Sequence, residues 1–248
     1  MTGKQLARAV LRPVARPVLR RLDARLDDRL AAQTARVEQL NRRLEFIRKE
    51  ILFELRHSSR AGEPGGAIES SLLNPAKLEQ MAGLVRLNLG AGHVSRPEYL
   101  NVDTRALDGI DLVADVRSLP FEGDSVAEIY SSHVLEHFPV EELGKVLLPY
   151  WVSLLRPGGE FVAVVPDMET MITEYVAGRM EFEELREVIY GSQEYDGNFH
   201  FNGFSQASIR TLFEDAGLTE VEVRASGRRN GLCYEMEIAG VRPAPVAR

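Results

Sequence analysis

Glycines and an acid follow two short apolar runs near the middle of the chain. Gly90 and Gly92 come directly after the apolar run 85–89, and glycine lets a backbone approach a ligand closely and adopt a positive φ. Asp103 closes the next apolar run, where a carboxylate can accept both hydroxyl protons of a ribose. This order predicts a pocket for an adenosine-bearing cofactor. A glycine turn followed by a helix-capping Asp is the other interpretation of these residues taken alone.

Further motifs continue the pattern toward the carboxyl end. Asp115-Val116 follows an apolar run, Leu119-Pro120-Phe121 precedes the next predicted strand, and Ser132-His133 ends that strand. Leu135-Glu136-His137 comes next, and a Leu-Leu-Arg-Pro-Gly-Gly loop occupies 154–159. Together these motifs resemble the class I S-adenosylmethionine (SAM) methyltransferases, especially a small group with an L-E-H tripeptide after the fourth strand. The resemblance covers residues 84–240.

The resemblance implies an α/β fold: a Rossmann-like, seven-stranded sheet with helices on both faces. Strands are predicted near 85–89, 99–103, 127–131, 160–165, 220–226 and 232–240, and helices near 167–178, 181–190 and 205–216. It also implies SAM as the cofactor, held by Asn88, Gly90, Ala91, Gly92, Asp103, Asp115, Val116 and Ser132.

Two departures from the family pattern affect the glycine loop. Asn88 stands where an acid is common, and it could orient the methionine ammonium only through its amide oxygen. Pro97 lies among the six residues between Gly92 and Tyr99, and proline disfavours helical geometry at the residue before it. A short turn is therefore expected in place of the usual first helix. A nicotinamide dinucleotide is the second cofactor considered, but its glycine fingerprint must open a helix.

Three histidines are candidates for the base that a hydroxyl acceptor needs. His137 ranks first, followed by His133 and His200, because all three are expected near the carboxyl edge of the sheet. His200 and Asp167 are also candidates for substrate binding, although Asp167 could instead cap a helix. Asp167, His133 and His137 could ligate a cation, but their spacing is not diagnostic. No metal is predicted.

Composition and charge limit the class of protein. The single cysteine, Cys233, excludes an intramolecular disulfide. Neither an 18-residue apolar run nor a secretory h-region is found, so a cytoplasmic protein is expected. Residues 1–60 carry a net charge of +8 and the remainder −15, against −7 overall. The acidic part argues against nucleic acid as a direct substrate.

The N-terminal part has a heptad pattern and a basic stripe instead of the strand and loop motifs described above. Residues 26–54 keep a heptad, with Leu30, Val37, Leu44 and Ile51 at position a, which favours a self-associating coiled coil over a helix packed on its own domain. A basic stripe precedes it, typical of either a membrane-apposed helix or a disordered tail. The predicted organisation is a basic segment and coiled coil over 1–57, a flexible Gly/Ser/Pro-rich linker over 58–80, and a methyltransferase domain over 81–242.

The function expected from these residues is SAM-dependent methyl transfer. Acidic and aromatic residues around 166–204 favour a sugar hydroxyl as acceptor, in a glycan, glycolipid or glycosylated natural product. A non-sugar small molecule is one alternative. The other is a non-catalytic scaffold of the same fold that acts through its coiled coil.

Overall fold

The computed structural model describes residues 26, 29–30, 33–34, 36–37, 68–81, 83–193 and 198–244. The chain divides into two units, 1–62 and 63–248. The described residues of the first unit are helical, and the rest of the predicted coiled coil and the basic stripe lie outside the described residues. No helix in the described part of the chain is long and apolar enough to cross a membrane.

The second unit contains one mixed sheet and its helices. The strands are β1 (Ser71–Leu72), β2 (Val85–Leu89), β3 (Leu100–Asp103), β4 (Leu112–Val113), β5 (Val126–Ser132), β6 (Leu155–Pro166), β7 (Thr219–Asn230) and β8 (Cys233–Val241). The helices are α1 (Pro75–Gln80), α2 (Val140–Glu142), α3 (Leu148–Leu154), α4 (Met168–Val176), α5 (Phe182–Tyr190) and α6 (Gln206–Asp215). A 3₁₀ turn covers Leu135–His137, and a π-helical turn, Leu143–Leu147, joins α2 to α3.

The sheet confirms the Rossmann-like fold. Its strand order is β1-β4-β3-β2-β5-β6-β8-β7. Strands β4, β3, β2, β5 and β6 run parallel, whereas β8 is antiparallel to both β6 and β7. Seven strands were expected, and the eighth is β1 at the edge.

The strand β1 and helix α1 correct the expected linker. Ser71 and Leu72 pair antiparallel with Val113 and Leu112, and the Lys77 ammonium lies 2.6 Å from an Asp111 carboxylate oxygen. Residues 71–80 therefore belong to the domain, and the linker predicted over 58–80 extends too far. The Gly/Ser/Pro composition of this stretch could not reveal partners on the sheet edge.

The expected loop over 154–159 is also different. Its end forms part of the ladder between β6 and β8, because the Gly158 amide donates to the Arg242 carbonyl and the Arg242 amide to the Gly159 carbonyl, each at 2.8 Å. Strand β6 therefore begins at Leu155 rather than Glu160.

Aromatic packing joins helices α3 and α6 to the sheet. Trp151 of α3 packs edge-on against Phe161 of β6, which stacks on Phe213 of α6 at 5.2 Å between ring centroids. All three side chains are fully buried. The Trp151 indole N–H also donates to the Val116 carbonyl at 2.8 Å. The core thereby fixes Val116, which lines the cavity described next.

Candidate functional site

A cavity of about 500 Å³ opens beside the carboxyl ends of the central parallel strands. The strand order reverses at β2, which has β3 on one side and β5 on the other, and ligands of open α/β sheets bind at such a switch point. The cavity is lined by Gly90, Asp103, Thr104, Arg105, Val116, Arg117, His133, Val134, His137, Phe138 and Phe201. Five residues singled out from the sequence lie together here: Gly90, Asp103, Val116, His133 and His137.

The glycine loop is a turn without a helix, as expected. Gly90 contributes to the cavity wall with a φ of +62°. The Gly92 amide donates to Asp103 Oδ2 at 2.9 Å, and the Ala91 amide donates to the Val102 carbonyl. The side-chain amide of Asn88 is buried, and its Nδ2 donates to the Val94 carbonyl and to Asn101 Oδ1. Asn88, Ala91 and Gly92 thus shape the loop and are not among the cavity-lining residues, and their contact with a cofactor stays a prediction.

Asp103 reaches the cavity with its carboxylate already occupied. Oδ1 accepts from the backbone amide and Nε of Arg105, and Oδ2 accepts from Gly92 and Arg105 Nη2. Burial disfavours the charged carboxylate, but the hydrogen bonds and charge of Arg105 outweigh it and lower the pKa of Asp103. A carboxylate offers about four acceptor sites, and those of Asp103 are all in use in this structure.

The other residues expected to bind the cofactor lie near the cavity. Asp115 does not line it, and its Oδ1 accepts from the Arg117 amide at 2.9 Å in a tight turn. This turn places the neighbouring Val116 in the cavity wall. Ser132 pairs with Val164 at the end of β5 and is likewise not among the lining residues. Of these three residues Val116 lines the cavity, and the cofactor contacts of all three stay predictions.

His133 is held as a cation between two carboxylates. Nδ1 lies 3.0 Å from Glu136 Oε1, and Nε2 lies 3.1 Å from Glu235 Oε2. Burial alone would lower the pKa of His133, but the hydrogen bonds and charges of Glu136 and Glu235 raise it to about 9. An imidazolium has no lone pair with which to accept a proton, so the raised pKa argues against His133 as the base.

His137 and His200 lie edge to face, with ring centroids 4.8 Å apart. His137 Nδ1 lies 3.1 Å from the Phe199 carbonyl oxygen, and His200 Nδ1 lies 2.6 Å from the Val188 carbonyl oxygen. Burial lowers the pKa of His200 and favours its neutral form. His137 lines the cavity of about 500 Å³ described above, called the main cavity from here on. His200 lines a second cavity of about 210 Å³, which His133 and Cys233 also line.

Asp167 caps helix α4 from a buried position. Its side chain is fully buried; Oδ1 accepts from the Thr170 amide, and Oδ2 accepts from the Thr170 hydroxyl and the Gly227 amide. The capping interpretation is therefore correct, and the expected role of Asp167 in substrate binding is not supported.

Sequence reasoning missed three charged residues around the cavity. Glu136 lies inside the L-E-H tripeptide but was given no role, although it is fully buried beside His133. Glu235 reaches His133 across 102 residues of sequence, and no local pattern predicts that contact. Arg105 follows Asp103 by two positions, and this spacing was the one available signal.

Comparisons with known proteins give matches among solved structures. No family model matches the sequence, and the curated proteins contain no match. The chain is similar to a phosphoethanolamine N-methyltransferase 2 of Haemonchus contortus in complex with S-adenosyl-L-methionine, with a TM-score of 0.45 and 13% identity. That match covers 69% of this chain and 52% of the other, so the chain spans about half the length of that structure.

Two further solved structures are matched over most of their length. One is a SAM-dependent methyltransferase from Thermotoga maritima, described as a possible histamine N-methyltransferase, with a TM-score of 0.46, 15% identity, and coverage of 67% and 89%. The other is the Burkholderia thailandensis 1,6-didemethyltoxoflavin-N1-methyltransferase with its acceptor and S-adenosylhomocysteine, with a TM-score of 0.46, 14% identity, and coverage of 81% and 89%. The named acceptors of these proteins differ in chemistry.

Proposed function

We propose that the chain is a SAM-dependent methyltransferase. The observation that carries the proposal is the main cavity, which brings Gly90, Asp103 and His137 together at the switch point of a parallel sheet. A backbone glycine, a ribose-accepting carboxylate and a half-buried imidazole are what an adenosine-bearing methyl donor and an acceptor require from one site.

The residues of the cavity fit the adenosine part of SAM. Gly90 and Val134 both line the cavity, and Gly90 exposes its backbone there. A Cβ at position 90 would meet the Val134 side chain. Asp103 would hold the ribose hydroxyls after the guanidinium of Arg105 has moved away, a movement that its half-exposed side chain permits. Val116 would present backbone and apolar surface to the adenine from a position that the Trp151 hydrogen bond fixes.

The acceptor we assign is a hydroxyl group, with a sugar as the preferred class. When bound, SAM supplies a methyl group activated by a sulfonium. His137 Nδ1 must carry a proton, because a carbonyl oxygen only accepts. Its Nε2 is then left to take the acceptor's proton. Phe201, 61% exposed at the cavity edge, offers an aromatic face of the kind that packs on sugar rings.

Calorimetry with SAM and S-adenosylhomocysteine tests the cofactor assignment. We expect binding by the full-length chain and loss of turnover in His137→Ala of roughly 10²–10⁴-fold with SAM affinity retained. Transfer of a labelled methyl group to a panel of sugars and of non-sugar hydroxyl and amine compounds tests the acceptor class. Methylation of amines alone would contradict the hydroxyl assignment. No binding of SAM at millimolar concentration would favour the scaffold alternative.

A further inference from the structure

We propose that Glu136, His137 and His200 form a binding site for one divalent transition-metal ion of the zinc type. Each residue offers one ligand atom, and the three atoms lie within 4.8 Å of one another. The 3₁₀ turn supplies Glu136 and His137, and the segment after α5 supplies His200. The cluster adjoins the main cavity through His137.

The strongest evidence is the carboxylate of Glu136. Its side chain is fully buried, and Oε1 is hydrogen-bonded to His133. Oε2 is also buried and has no hydrogen-bond partner among the described residues. A buried acceptor left without a partner destabilises the fold, and more so when it is charged. A cation bound at Oε2 would remove that destabilisation.

Each of the two histidines places one ring nitrogen beside a backbone carbonyl. Each Nδ1 lies within hydrogen-bonding distance of a backbone carbonyl, that of Phe199 for His137 and that of Val188 for His200. Because a carbonyl only accepts, both Nδ1 atoms carry protons and both Nε2 atoms keep a lone pair. Histidine ligands of metals almost always donate their second ring N–H in this way.

Backbone contacts hold the two halves of the cluster together. The Glu136 carbonyl accepts from the amides of Phe201 and Asn202, at 2.7 and 3.3 Å. These bonds join the 3₁₀ turn to the residues directly after His200. The three ligands are therefore placed by the fold rather than by chance contact of mobile side chains.

Two nitrogens and one carboxylate oxygen are a donor set typical of zinc with an open coordination position. Ligand atoms about 2.0–2.2 Å from one ion lie roughly 3–3.5 Å apart. The most distant pair of ligand atoms must therefore close by up to about 1.5 Å from the separation of up to 4.8 Å.

The ion would change the part that His137 plays, and this consequence alone rests on the proposed function. Metal binding and proton acceptance use the same lone pair of Nε2, so the two exclude each other. With the ion bound, the acceptor hydroxyl would be ionised on the metal, with its proton released to water.

Zinc titration of the full chain tests the site. The protein is stripped with a chelator, and zinc binding is followed by calorimetry without SAM. We expect one ion per chain at micromolar affinity or better, and at least about 10-fold weaker binding in His137→Ala and His200→Ala. His93→Ala is the matched control, because it removes an exposed histidine outside the cluster.

The design separates the metal site from the proposed function. Thermal unfolding shows that each variant is folded, and His200→Asn replaces His200→Ala should the latter not fold. Wild-type chain that binds no zinc, or cluster variants that bind zinc as well as His93→Ala does, would overturn the site. A chain that binds zinc but not SAM would leave the site standing and overturn the methyltransferase proposal.

Discussion

At the residue scale, His133 combines an unusual backbone with an unusual charge state. Its φ of +55° lies in the left-handed region, which costs a non-glycine residue on the order of 1 kcal/mol or more. The contacts of its ring with Glu136 and Glu235 over-determine this conformation. We infer that His133 stays protonated and, as a cation, holds the Glu136 carboxylate in place. In this role His133 does not act as a base.

The raised pKa of His133 predicts a pH-dependent stability. Because the folded-state pKa of about 9 exceeds the unfolded value near 6.5, the contribution is complete below pH 6.5. It is lost as the pH rises through 9. His133→Asn removes the cation and tolerates the positive φ. We expect this variant to be less stable by on the order of 1–3 kcal/mol at pH 6.5.

Urea unfolding at pH 6.5 and at pH 9.5 measures this difference. While His133 is a cation, its hydrogen bond and charge lower the pKa of Glu136 against burial. The pKa of Glu235 is lowered, also against burial, by hydrogen bonds from Asn230, His133 and Arg228. The stability difference between wild type and variant should shrink at pH 9.5. An equal difference at both pH values would mean that the charge of His133 does not matter.

Asp103 and Arg105 should affect SAM binding in opposite ways. Asp103→Ala removes the acceptor for the ribose and should weaken binding by about 1–3 kcal/mol. Arg105→Ala removes the group that the ribose must displace, so binding should be unchanged or tighter. Asp108→Ala, at an exposed carboxylate in the following turn, is the control. Calorimetry showing equal losses in Asp103→Ala and Arg105→Ala would contradict the exchange.

At the scale of elements, the turn after β2 depends on Gly90. A Cβ there would lie 2.5 Å from Val134 Cγ2, in addition to the strain of a positive φ. Gly158 has a similar φ of +76°, but a Cβ added there would have no atom within 4 Å. We expect Gly90→Ala to weaken SAM binding and to destabilise the fold by about 1–3 kcal/mol.

Gly158→Ala is the control that isolates backbone strain. It should cost only about 1 kcal/mol and leave SAM affinity unchanged, as measured by chemical unfolding and calorimetry. Equal effects of the two substitutions on SAM affinity would show that the part of the cavity wall formed by Gly90 and Val134 does not belong to the binding site.

Helix α4 depends on the cap that Asp167 provides. Asp167→Ala leaves the amides of Thr170 and Gly227 without their acceptor. We expect a loss of about 1–3 kcal/mol in unfolding free energy with little change in SAM affinity. Asp215→Ala, at an exposed carboxylate at the end of α6, should be close to neutral. A loss of turnover without a loss of stability in Asp167→Ala would restore a substrate role.

The elements that sequence reasoning predicted correctly have local causes. Apolar runs define β2, β3 and β5, and Pro97 accounts for the missing first helix. Serine and aspartate caps mark α6 and α4. Strand β1 was missed because its two residues have no apolar pattern and form a strand only by pairing with β4.

The charges of the site depend instead on contacts between distant segments. The pairing of β7 with β8 brings Arg228 to within 2.6 Å of Glu235, which then reaches His133. Gly227 and Asp167 meet across 60 residues. A histidine in a sequence shows neither its neighbours nor its protonation, so ranking the three histidines required the structure.

At the scale of the whole molecule, the two ends of the sequence differ in charge. Residues 1–60 are basic and the remainder is acidic. Leu26, Leu30 and Val37, which occupy core positions of the predicted heptad, are helical and more than half exposed. A helix with such a stripe is stabilised when another copy covers it, so self-association stays our prediction for this unit.

Deleting residues 1–60 should lower the oligomeric state and leave SAM binding intact, because the deletion ends ahead of β1, the first strand of the sheet. Light scattering on the full chain and the truncated chain measures the mass. Leu30→Glu places a charge at heptad position a and should also dissociate the assembly. Ala35→Glu, at the outermost position f of the same heptad, is the matched control and should not. An unchanged number of chains per assembly after the deletion would refute the coiled coil. Dissociation by both point substitutions would show that charge rather than the heptad seam governs assembly.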